Sequence, residues 1–141
     1  MEIVKLGGKD ERLYHLVAHL VMDEDVLAYN LNYPYKTSPD YRWYIGTENE
    51  STIGFIPVKL DRNKAIINNY YIADDDSVVL SALLKEVIQT LRADFDIEAV
   101  VQIRHLPTFE KCGFPTLLHW KRYVKMKMDK LKPEGGEVDA I

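Results

Sequence analysis

A helix held between two apolar strands constrains this chain more than any other feature. Ile66 to Ile72 reads as a strand, Ser77 to Arg92 as a helix, and Ile97 to Ile103 as a second strand. In the helix Val79, Leu80, Leu83, Leu84, Val87, Ile88 and Leu91 fall on one stripe at helical spacing, while Ser81, Lys85, Glu86, Gln89 and Arg92 face away from it. A strand-helix-strand unit of this length predicts a parallel strand pair joined by a right-handed crossover, with the helix laid over one face of the sheet. The fold class is therefore α/β.

The flanking segments fill in the sheet. Glu2 to Leu6 alternates as a half-buried strand does, and Gly7-Gly8 ends it. Asp10 stands as a cap before a helix with the stripe Leu13, Leu16, Val17, Leu20 and Val21. Asp23-Glu24-Asp25 opens a second, short helix through Tyr29, stopped by Pro34 and Pro39. Arg42 to Thr47 and Thr52 to Leu60 read as strands joined by the polar turn Glu48-Asn49-Glu50-Ser51, and Asp61-Arg62-Asn63-Lys64 turns again into the Ile66 strand. Short links predict an antiparallel meander, with Pro57 at a bulge or edge because it has no N–H for the ladder. Downstream, Pro107 and Gly113 bracket a short helix. One last strand alternates Leu118, Trp120, Val124, Met126 and Met128 with a solvated basic face of His119, Lys121, Tyr123, Lys125 and Lys127.

Composition narrows the class. With 141 residues, 47% apolar and 28% charged, the chain matches one globular domain over residues 1–128. Residues 129–141, with Pro133 and Gly135-Gly136, are expected to form a disordered tail. A formal charge of -4 gives no reason to expect nucleic acid. No run approaches the ~18 apolar residues of a membrane span, so no membrane association is expected. Cys112 is the single cysteine, which rules out an intrachain disulfide. Met1 to Leu6 lacks the basic and apolar pattern of a secretory signal, and a cytoplasmic location is expected.

The junction between the Ile66 strand and the helix is Ala73-Asp74-Asp75-Asp76. A helix N-terminus presents unpaired N–H groups and a positive dipole end, a natural phosphate seat. Here carboxylates crowd that seat, where their first use is capping. A pyrophosphate ~4 Å from one unpaired carboxylate suffers roughly 1 to 4 kcal/mol of repulsion. Their spacing fits no calcium loop, and no metal site is expected.

Two local sequences add to this element order. Trp43-Tyr44-Ile45 is followed across a turn by Ile53-Gly54-Phe55, and Phe109-Glu110-Lys111-Cys112-Gly113-Phe114 lies near the end. Together they resemble the GCN5-related N-acetyltransferase superfamily over residues 2 to 128, the second segment resembling its tyrosine-glutamate-lysine-x-glycine-phenylalanine motif. The resemblance implies a mixed sheet with an antiparallel meander, a central strand-helix-strand unit and flanking helices. It also implies acetyl-CoA or another acyl-CoA entering a gap between the Ile66 and Ile97 strands. Its contacts would come from backbone at Ile72, Ala73, Ser77, Val78, Val79 and Leu80, with Phe109 alongside. Two departures stand out. The glycines of the family's phosphate loop are replaced by Asp76, Val78 and Leu80, and Phe109 holds the place of the tyrosine that protonates the departing thiolate.

The remaining candidates are few. His105 lies close to where the thioester would sit and suits proton transfer, against the plainer reading of a solvent-facing histidine at a helix start. Tyr71 could donate a hydrogen bond near the gap, against simple packing. His15 and His19 lie four apart on a helix but lack the glutamate of a metalloprotease motif, and read as solvated. Cys112 reads as a small buried apolar residue. Tyr29, Tyr33, Tyr35 and Tyr41 could wall an acceptor site or form an interaction surface. Two functions follow. One is an acyl-CoA-dependent N-acyltransferase acting on an amine or peptide. The other is a catalytically degenerate binding or assembly module, for which a homodimer is compatible.

Overall fold

The computed structural model describes residues 1–132; the rest of the expected tail, residues 133–141, lies outside the described residues. The chain runs β1 (Glu2–Gly7), α1 (Glu11–Val21), α2 (Glu24–Tyr29), β2 (Tyr41–Glu48), β3 (Ser51–Asp61), β4 (Lys64–Ile67), β5 (Tyr71–Ile72), α3 (Ser77–Leu91), β6 (Asp96–Gln102), α4 (Leu106–Lys111), β7 (Thr116–His119) and β8 (Tyr123–Met128). The sheet order is β1-β2-β3-β4-β6-β8-β7, with β5 paired to β3. The meander β2-β3-β4 is antiparallel and β4 pairs β6 in parallel across α3, as the strand-helix-strand pattern requires.

Alternation along β2 explains the layering. Trp43 and Ile45 pack with Leu13, Val17 and Val26 under α1 and α2, while Tyr44 joins Leu83, Leu84 and Val87 under α3 on the other face. Asp10 and Asp23 cap α1 and α2 by accepting N–H bonds from Arg12, and from Asp25 and Val26. α2 stops at Asn30 rather than at Pro34, because Leu31 and Asn32 turn into positive φ first. The β2-β3 turn needs only Asn49 and Glu50, both at positive φ, the twist a two-residue hairpin turn requires.

Two predicted strands divide. The last strand is a hairpin, β7 and β8, turned at Trp120–Arg122 and closed by Trp120 N–H to Tyr123 C=O at 2.8 Å. Val124, Met126 and Met128 are buried, but Leu118 and Trp120 are exposed. Polar-apolar alternation runs straight through this turn, so periodicity alone does not reveal it. The basic face is partly paired, with Lys125 reaching Glu98 at 3.5 Å and Lys127 reaching Asp129 at 3.6 Å.

The other division shapes the molecule's opening. The expected Ile66–Ile72 strand breaks after Ile67, and Tyr71 rejoins the β3 ladder opposite Phe55. Asn68, Asn69 and Tyr70 thus face only Ile56 and Pro57, a bulge in which Asn69 takes φ 56°. Pro57 lies in an interior strand rather than at an edge, opposite the bulge, where no ladder donor is required. Buried Asn30 clamps α2 to the bulge by donating to Asn69 Oδ1 at 2.9 Å. Beyond the bulge β5 follows β3 alone, and the Val100–Gln102 end of β6 pairs only with β8. The sheet therefore opens between β5 and the end of β6. No helix among the described residues is long and apolar enough to cross a membrane.

Candidate active site

The bulge turns Tyr70 into this opening. Its hydroxyl lies 2.6 Å from His105 Nδ1 and accepts Gln102 N–H at 3.3 Å. His105 ends the short helical turn Ile103–His105 that leads into α4, and is only 3% exposed. Its Nε2 lies 2.7 Å from Asp75 Oδ1 and 3.1 Å from the Tyr29 hydroxyl. A carboxylate only accepts, so Nε2 carries the proton and Nδ1 accepts from Tyr70. Tyr70, His105 and Asp75 form one hydrogen-bonded relay spanning the opening.

Asp75 crosses the mouth of the opening to reach His105. It lies in the turn Ala73–Asp75, with Asp74 at φ 58° and Asp75 at φ 50°. Arg104 Nε donates to both its oxygens at 3.1 Å. The Arg104 guanidinium also covers the Tyr29 ring at 4.5 Å and donates to the Gln102 side chain. Gln102 in turn donates to the Tyr29 carbonyl at 3.1 Å. Among the described residues no buried side-chain N or O is without a hydrogen-bond partner.

Burial sets the charge states. It lowers the His105 pKa against the opposing effect of the hydrogen bond that Nε2 donates to Asp75, so the imidazole is neutral at pH 7. It raises the Tyr70 and Tyr29 hydroxyls far above the usual phenol range. Burial also pushes Asp75 upward, but hydrogen bonds from His105, Tyr29 and Arg104 outweigh it and hold the carboxyl below its ordinary value. The sign for stability follows. Unfolded histidine titrates near ~6.5, so below that pH the unfolded chain binds a proton that folded His105 refuses. This contribution is full above pH ~6.5 and falls on acidification by at most about 1.4 kcal/mol per pH unit, until the folded imidazole also protonates. Urea denaturation at pH 7 and pH 5 checks it: the midpoint is expected to fall at pH 5, and to fall less in His105→Gln.

The other predicted residues separate. Tyr71, one residue from Tyr70, is half-buried and packs on Tyr29 and Phe55 with ring centroids at 5.0 and 5.6 Å, outside the relay. Phe109 is fully buried behind Tyr70, at 5.9 Å, and against Phe114. His105 is not the solvent-facing residue of the plainer reading. The four tyrosines do not form one wall. Tyr29 joins the relay, the Tyr35 hydroxyl donates to the Val26 carbonyl, and Tyr33 is exposed. His15 and His19 are exposed on α1, and the described residues hold no cluster of metal-ligating side chains. Cys112 is half-buried, 3.8 Å from Ser81 Oγ.

At the start of α3, Asp76 alone caps the helix, accepting Val78 and Val79 N–H at 2.9 and 3.2 Å. Ser77 and Val78 are exposed there, Ile72 and Leu80 are buried, and Ala73 is half-buried. Beside this end a groove of about 400 Å³ runs between α3 and α4, lined in part by Ser77, Ser81, Lys85, Thr108 and Lys111. Sequence reading missed Tyr70, Gln102, Arg104 and the groove. The signal for the first was Asn68-Asn69, a poor strand pair that marks the bulge.

No protein-family model matches the chain, and no curated protein matches it by sequence. Solved structures do. Escherichia coli ElaA shares 15% identity over 92% of this chain and 100% of its own, with a TM-score of 0.73. An acyl-CoA N-acyltransferase from Pseudomonas aeruginosa shares 11% identity over 90% and 99%, with a TM-score of 0.70. A GNAT family acetyltransferase from Elizabethkingia anophelis, solved with acetyl-CoA bound, shares 15% identity over 91% and 97%, with a TM-score of 0.60. At such identities the likeness concerns the fold.

Proposed function

For a chain with the GCN5-related N-acetyltransferase fold, we propose an acyl-CoA-dependent N-acyltransferase that acylates an amine or peptide acceptor, in the cytoplasm. The observation that supports it is the Tyr70–His105–Asp75 relay across the opening of the sheet, with Tyr70 and His105 buried and Asp75 at the exposed mouth. As the neutral amine attacks the thioester carbonyl, Tyr70 oxygen takes the proton that its nitrogen sheds while passing its own to His105 Nδ1, and Asp75 stabilises the imidazolium through Nε2. The reverse passage returns the proton to a leaving anion. Tyr70 thus offers the hydroxyl that Phe109 lacks.

The residues fit acyl-CoA in part. Lys85 and Lys111 line the groove with no carboxylate among its lining residues, so they suit phosphates, with Ser77, Ser81 and Thr108 as further donors. When bound, acyl-CoA supplies an activated acyl group. Asp76 works against the phosphates by taking Val78 and Val79 N–H. Asparagine caps as well as aspartate but carries no charge, so Asp76→Asn is expected to keep stability and tighten acetyl-CoA binding about tenfold. Unchanged affinity in a titration would refute the repulsion.

That same capping carboxylate favours a second reading, a degenerate binding module that has given up acyl-CoA. Amine-dependent release of free thiol from acetyl-CoA, followed with a panel of amines and amino-terminal peptides, separates the two. Turnover above the protein-free rate supports the enzyme; release that no acceptor accelerates supports the module.

A further inference from the structure

We propose that Arg104 recognises an oxyanion of the ligand, a carboxylate or a phosphate, and that Asp75 is the intramolecular placeholder for it. The guanidinium is oriented from three sides, by Asp75, by Gln102 and by the Tyr29 ring beneath it. Its Nη2 donates to no described residue, so an Nε and Nη2 edge at the mouth of the opening suits a two-point contact with an oxyanion. Besides the bond it accepts from His105 Nε2, the resident carboxylate is held there by its ion pair with Arg104. The pair is 43% and 44% exposed, a setting in which ion pairs contribute little.

Asp75 also sits at φ 50° after Asp74 at φ 58°, backbone that costs free energy to hold and relaxes on release. Its departure leaves no orphan at His105, because the Tyr29 hydroxyl remains 3.1 Å from Nε2. Capping of α3 is untouched, since Asp76 performs it. A ligand oxyanion therefore exchanges for Asp75 at a site already built, and takes over from that carboxylate the stabilisation of the His105 imidazolium.

The inference deepens the acyltransferase reading but its test reads binding alone. Coenzyme A is compared with pantetheine, and N-acetylglycine with N-acetylglycinamide, by calorimetry on wild type and Asp75→Gly, since glycine tolerates the positive φ. Removing the competitor is expected to tighten one charged probe about tenfold, leave its neutral partner unchanged, and lose the gain when Arg104→Gln is added. A gain for coenzyme A assigns the oxyanion to phosphate; a gain for N-acetylglycine assigns it to an acceptor carboxylate, even if coenzyme A fails to bind. Equal affinities for both charged probes in wild type and variant, or a gain that survives Arg104→Gln, overturn the proposal. Should Asp75→Gly fold poorly, Asp75→Asn replaces it under the same criteria.

Discussion

Tyr70→Phe is expected to lower kcat for acyl transfer by about 10²- to 10⁴-fold, the range for losing a positioned acid-base group, with little change in KM for acetyl-CoA. The ring stays against Phe109 and only the hydroxyl goes. His105 Nδ1 loses its donor and Gln102 N–H its acceptor, so stability is also expected to fall by about 1–3 kcal/mol. Tyr71→Phe is the control, because its ring packs outside the relay. Steady-state thiol release measures both. Equal losses in the two variants would remove Tyr70 from the mechanism.

Phe109→Ala is expected to cost about 3–5 kcal/mol in urea denaturation, as truncation of a fully buried aromatic does. Phe109 holds Tyr70 from behind at 5.9 Å and meets Phe114 at 5.5 Å, so the cavity forms directly beside the relay. Phe109→Tyr adds a hydroxyl only at a cost. The added hydroxyl enters a site with 0% exposure, and overpacking there costs about 1–3 kcal/mol. A loss below 1 kcal/mol for Phe109→Ala would show that the ring is not the wall of the opening.

Much of the fold was legible because its signals are local. The α3 stripe, the aspartate caps and the meander follow from spacing and turn chemistry, and each appears where those dictate. The β7-β8 turn was not legible, since Trp120-Lys121-Arg122 contains no glycine, proline or asparagine to interrupt the alternation. The site was legible only in outline. His105 was identified, but its partners come from three separate segments: Tyr29 from α2, Tyr70 from the bulge and Asp75 from the junction. One residue of register decides between Tyr70 and Tyr71, and that register depends on Asn69 adopting positive φ. The acidic junction divides likewise into a cap, a cross-cleft acceptor and an exposed residue, roles that sequence shows as one run.

Calorimetric titration of acetyl-CoA into the full chain at moderate salt tests most directly whether the opening is an acyl-transfer site. Saturable binding in the micromolar range is expected, about -8 kcal/mol at 1 μM, weakened when Lys85 and Lys111 are both replaced by glutamine. No heat at ~1 mM acetyl-CoA, an affinity below ~4 kcal/mol, would contradict it.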